Sequence, residues 1–117
     1  HIWLGAYMSD GEEDFPQYNN LHLMGVGKIL FLTKYHARNC SDFTIPMYRR
    51  MGVSTRLTQE REKIAIEYAC TKIDYIADVS LEFSIPDGYI RKEVKGKRGF
   101  RYEKDLTPYL NNKGEIK

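Results

Sequence analysis

"DYIADVSLEFSIPDGYIRKEVKGK" (residues 74–97) is the stretch on which the reading of this chain turns. Pro86-Asp87-Gly88 marks a turn for stated reasons: proline presets φ, aspartate tolerates turn geometry and glycine supplies φ > 0. On its N-terminal side Val79, Leu81 and Phe83 point one way, and Asp78, Ser80 and Glu82 the other. On its C-terminal side Ile90 and Val94 share one face, while Arg91, Glu93 and Lys95 share the opposite one. The pattern predicts an amphipathic β-hairpin over 78–95 whose apolar side requires a cover.

That cover is expected just upstream. "TQEREKIAIEYACTK" (58–72) predicts a helix capped by Thr58, with Glu60 and Glu62 at the positive end of its dipole. Leu57, Ile64, Ala65, Tyr68 and Ala69 form its apolar stripe, and Ile66 falls off it. Nearer the start, "IWLGAYM" (2–8) reads as a strand and the acidic "SDGEED" (9–14) as a loop. "FPQYNNLHLMG" (15–25) reads as a short helix stopped by Gly25, and "KILFLTKY" (28–35) as a buried strand, a βαβ order. "NCSDFTIPMYRRMG" (39–52) reads as irregular, with Pro46 arguing against a central strand. The 117 residues therefore predict one compact α+β domain spanning 1–117, with a mixed or antiparallel sheet and a helix packed on the 78–95 hairpin.

Composition narrows the class. Hydrophobic residues at 42% and charged residues at 29% describe a folded chain rather than a disordered one. The net charge of +2 says little, but its distribution is uneven. Residues 89–104 carry Arg91, Lys92, Lys95, Lys97, Arg98, Arg101 and Lys104 against Glu93 and Glu103, interleaved with Tyr89, Phe100 and Tyr102. Such a basic, aromatic segment is a polyanion footprint, with Arg91, Lys92, Lys97, Arg98, Arg101 and Tyr102 as the contact residues. The alternative is a solvated charged surface.

Cys40 and Cys70 belong to no metal-ligand spacing and read as two reduced thiols of a cytoplasmic protein, with one disulfide left open. No apolar run approaches membrane-spanning length. An N-terminal histidine such as His1 can chelate copper in a histidine brace, but His22 and His36 have no ligand spacing. Trp3 reads as core. Gly25-Val26-Gly27 lacks the third glycine and the following helix of a phosphate-cradling loop. Arg49-Arg50 beside Tyr48 could contact phosphate, or be plain loop surface.

Two resemblances bear on function. "MGVGKILFLT" (24–33) looks like an early strand of dual-specificity phosphatases, yet their Cys-x5-Arg loop is excluded: Pro46 and Ile76 stand six residues after the cysteines. The second concerns the hairpin, where Asp78 is expected near Lys95 across the ladder and Glu93 two residues along. Two carboxylates hold Mg²⁺ through hard oxygen ligands while a lysine orients water and steadies phosphate charge. Asp78…Glu93-Val94-Lys95 resembles the D…ExK core of the PD-(D/E)XK nuclease superfamily over about residues 58–104. The resemblance implies Asp78 and Glu93 as metal ligands, Lys95 as the catalytic lysine, and one of Glu60, Glu62 or Glu67 as a further helix acid.

The expected function is that of a nucleic-acid-engaging protein that cleaves phosphodiester bonds with Mg²⁺, its partner DNA or RNA. The alternative is a non-catalytic nucleic-acid-binding or protein-interaction module using the basic, tyrosine-rich 89–104 surface. Glu93 and Lys95 would then be cross-strand salt pairs on a solvated face. Homo-oligomerisation is left open.

Overall fold

A computed structural model of the chain describes residues 1–9, 21–77, 86–92, 100–111 and 116. Three strands come first: β1 (Ile2–Ser9), β2 (Leu21–Phe31) and β3 (His36–Thr44). After a 3-10 turn at Pro46–Tyr48 comes helix α1 (Val53–Glu67), followed by β4 (Lys72–Ala77), β5 (Ile90–Lys92) and β6 (Phe100–Asp105). Among the described residues the six strands form one mixed sheet in the order β1-β2-β3-β4-β6-β5. Neighbours are antiparallel except β3 and β4, which run parallel and are joined through α1. The α+β expectation, one domain with a mixed sheet and a packed helix, holds.

Helix α1 lies on one face of the sheet, and the core forms between them. Ile29, Ala37, Ala65, Cys70, Ile73, Tyr75, Tyr102 and Leu106 are buried there, with Ile2, Leu4 and Phe31 packed around them. β2 meets the helix with two glycines in place of side chains. A Cβ on Gly25 would come within 2.9 Å of Val53 Cγ1, and one on Gly27 would collide with the Arg61 guanidinium. These glycines are strand positions that let α1 approach. The helix expected over 15–25 is thus corrected in its described part, which is β2, and Gly25 stops no helix. The expected N-terminal βαβ is instead an antiparallel β1–β2 pair.

Residues 39–44, expected to be irregular, belong to β3, and Pro46 enters only after that strand ends. α1 begins five residues before the expected cap. Its buried stripe is Val53, Leu57, Thr58, Arg61 and Ala65, so Thr58 sits inside the helix and bonds Tyr75 Oη at 2.8 Å. Trp3, expected in the core, is 55% exposed on the face opposite α1, with Lys28 Nζ 5.1 Å from its ring centre.

The Pro86-Asp87-Gly88 turn is present: Tyr89 N–H donates to Pro86 O at 3.2 Å, and Gly88 has φ 85°. The strand after it does not lie beside β4 within the described residues. β6 takes that place, pairing Tyr75↔Tyr102 with β4 on one side and Tyr102↔Arg91 with β5 on the other. The reason is burial. Tyr102 and the following Leu106 are core residues, whereas Ile90, Arg91 and Lys92 are all exposed, so the segment that anchors in the core occupies the inner position.

Candidate functional site

The sheet opens between its two parallel strands. β3 and β4 pair from His36↔Lys72 to Asn39↔Tyr75 and no further, although β3 runs on to Thr44 and β4 to Ala77. Each strand keeps its outer partner beyond that point, β3 as far as Thr44↔Gly25 and β4 as far as Ala77↔Phe100. The β4-facing backbone edge of residues 40–44 therefore takes no partner from β4.

A β-bulge shapes this edge. Lys28 pairs with Cys40 but Val26 pairs with Phe43, so β3 spends three residues where β2 spends two. The extra residue reverses the alternation and turns Asp42 toward α1. There its carboxylate receives both arms of the Arg61 guanidinium and, at 2.6 Å, the Tyr75 hydroxyl. Arg61 also bonds Tyr75 Oη and reaches Thr58 Oγ1 at 3.3 Å. Burial, the largest single influence, lowers the pKa of Arg61, but the Asp42 bonds together with the fields of Tyr75, Asp42 and Tyr89 turn the net shift upward. Burial, seconded by Asp42, pushes the Tyr75 phenol up and keeps it neutral.

On the opposite face the same seam is closed by Asp74, fully buried. It accepts from Arg38 Nε at 2.7 Å and Nη2 at 3.1 Å, and pairs with His36 Nε2 at 2.7 Å. The Asp74 hydrogen bonds raise Arg38 further above its ordinary value.

Beyond the bulge the chain turns into α1 through a left-handed turn. Arg50 and Gly52 both have positive φ, 66° and 78°, with Met51 between them. Such alternation makes concave clusters of backbone N–H groups. The first helical hydrogen bond is Arg56 N–H to Gly52 O at 2.9 Å, which leaves the amides of Val53, Ser54 and Thr55 ahead of it. No side chain caps them, and the first turn carries no acidic residue. A Cβ on Gly52 would meet nothing within 4 Å, so the glycine serves the left-handed conformation in front of open space. Arg49 and Arg50 are exposed at this mouth. The whole lines a cleft of about 370 Å³, bounded by Asp42 to Thr44 on one side and by Tyr48 to Arg50 and Gly52 to Thr55 on the other. That size suits a small-molecule site.

The sequence-predicted residues fall partly outside and partly inside the described chain. Asp78, Glu93, Lys95, Lys97 and Arg98 lie outside the described residues. Arg91 and Lys92 are exposed on β5, the last strand in the order of the described sheet, with Arg91 4.4 Å from the centre of the Phe100 ring. Arg101 is half-buried and pairs with Glu103 at 3.6 Å, and Tyr102 is buried in the core rather than offered to a base. Of the three helix acids, Glu60 pairs with Arg56 and Lys63, and Glu62 with Lys104. Among the described residues no three His, Cys, Asp or Glu side chains come close enough to hold a metal ion. Cys40 and Cys70 are free thiols. No described helix is long and apolar enough to cross a membrane.

No family model matches the chain, and no curated protein does. Solved structures do. A PaiA N-acetyltransferase from Thermoplasma acidophilum, in complex with coenzyme A, shares 20% identity at a TM-score of 0.60, over 71% of this chain and 54% of its own. An acetyltransferase from Streptococcus agalactiae shares 17% at 0.60, over 72% of this chain and 60% of its own. A candidate acyl-CoA N-acyltransferase from Klebsiella pneumoniae shares 13% at 0.63, over 90% of this chain and 98% of its own. The chain thus spans little more than half the length of the first two.

These likenesses assign the fold to that of the acetyltransferases and overturn the PD-(D/E)XK resemblance. With it go the nuclease activity and its Mg²⁺, and the nucleic-acid-binding or interaction-module alternative draws no support.

Proposed function

We propose that this chain binds an acyl-CoA in the cleft between the end of β3 and the start of α1, and transfers its acyl group to an amine. The observation that carries the reading is the uncapped, acid-free start of α1, preceded by Arg49, Arg50 and left-handed Gly52, at the mouth of the gap where β3 leaves β4. Proteins of this fold have been solved with coenzyme A. In this reading the amides of Val53, Ser54 and Thr55 donate hydrogen bonds to the diphosphate, and the two arginines neutralise it. The edge of residues 40–44 that takes no partner from β4 supplies N–H and C=O groups to the amides of the pantetheine arm, as an added strand would. When bound, the thioester supplies an activated acyl carbon. Asp42, held by Arg61 and Tyr75, keeps its charge compensated beside that path. Two free thiols suit a reducing compartment, and we place the protein in the cytoplasm.

Calorimetry and thermal melting with coenzyme A and acetyl-CoA test the reading. Saturation at a hundredfold over Kd adds about 2.7 kcal/mol, a rise in Tm of several degrees. Ser54→Asp separates the site from the helix, because a carboxylate in the first turn stabilises α1 by roughly 0.3–1 kcal/mol yet repels the diphosphate. The variant should melt slightly higher alone and lose at least tenfold in affinity. Absence of any melting shift or heat with either ligand on the wild-type protein rejects the proposal.

A further inference from the structure

Arg61 is the largest fully buried side chain of the described residues, and it stands where four elements meet. From α1 it reaches Asp42 on β3, Tyr75 on β4 and, at 3.5 Å, the Lys28 carbonyl on β2, while Gly27 leaves room for it. Its Nε atom has no partner. An ion pair with one partner fully buried is weak evidence for stability, since apolar residues of similar volume often serve as well, and its best-attested use is to fix a register.

The register at stake is that of the bulge. Without the extra residue, Val26 would face Asp42, and the Asp42 carboxylate would point away from α1. Residues 40 and 41 would then be free to continue the parallel ladder onto 76 and 77, past the present last pair Asn39↔Tyr75. The gap would zip closed, and the cleft would lose its β3 wall. We infer that Arg61, with Asp42, Thr58 and Tyr75, is a positioning cluster that locks the β3 bulge in register and so holds β3 and β4 apart. The effect on ligand affinity rests on the acyl-CoA reading; the effect on strand register does not.

The test is the double variant Asp42→Leu/Arg61→Met, which removes both charges together and leaves apolar volume, with Tyr75→Phe as a milder companion. Amide hydrogen exchange followed by NMR reads the register, and calorimetry with coenzyme A reads the site. Expected are a Tm close to or above wild type, increased protection of amides among residues 40–44 and 76–77, and at least a tenfold loss of coenzyme A affinity. Tyr75→Phe should shift the same amides in the same direction by less. An unchanged exchange pattern in both variants overturns the inference, and so does loss of the fold in the double variant, which would make the cluster a prop of the core. If wild-type protein shows no affinity for coenzyme A, the acyl-CoA reading fails while the exchange comparison still decides this one.

Discussion

Gly27 shows how much of the site depends on a missing methyl group. A Cβ there would occupy the space of the Arg61 guanidinium, which has bonds on three sides and nowhere to move. Gly27→Ala should therefore destabilise the protein by about 1–3 kcal/mol, as overpacking does, measured as a lower urea midpoint at unchanged slope. The glycines of "MGVGK" read as punctuation because glycine is commoner in turns than in strands. Their spacing carried better information: Gly25, Gly27 and Ile29 alternate as one face of a strand, all buried. Arg49-Arg50 was legible as an exposed pair beside Tyr48. What residue-level reading lacked was Gly52 as their partner, because a left-handed conformation is a property of the fold around a glycine.

The existence of α1 was legible and both its ends were not. Its start is marked by no side-chain cap, and Thr58, a cap by residue type, lies within the helix with its hydroxyl on Tyr75. Its end is a Schellman turn: Cys70 N–H donates to Ala65 O and Ala69 N–H to Ile66 O, both at 2.9 Å, with Ala69 at φ 59°. An alanine in that conformation announces nothing in the sequence and costs roughly 1–2 kcal/mol of backbone strain. Ala69→Gly should recover about 1 kcal/mol, visible as a rise in Tm of several degrees. The Pro86-Asp87-Gly88 turn was read correctly because it depends on neighbouring residues alone. The order of β5 and β6 was not, since it is decided by which strand buries Tyr102 against Tyr75.

The class of the whole molecule follows from local pattern, but strand order and the place where a sheet opens are set by long-range competition for burial. Global stability should carry a signature of two core phenols. Burial raises both Tyr75 and Tyr89 above the ordinary tyrosine value of about 10. Unfolded tyrosines lose their protons near that pH while the folded ones hold theirs. The stability they contribute is complete below about pH 10 and is lost as pH rises through their folded values. Urea midpoints should fall steadily from pH 9.5 to 11.5, a range taken about that ordinary value, and Tyr89→Phe should flatten the slope. A further consequence belongs to kinetics. The parallel seam joins residues 36 apart in the chain, and every other pairing it separates is an antiparallel unit, β1-β2-β3 on one side and β4-β6-β5 on the other. Each unit can zip from its own connections, whereas the seam must wait for α1 to close the long loop. The last surface to assemble during folding is then the border of the cleft, and it is the first that transient opening should expose.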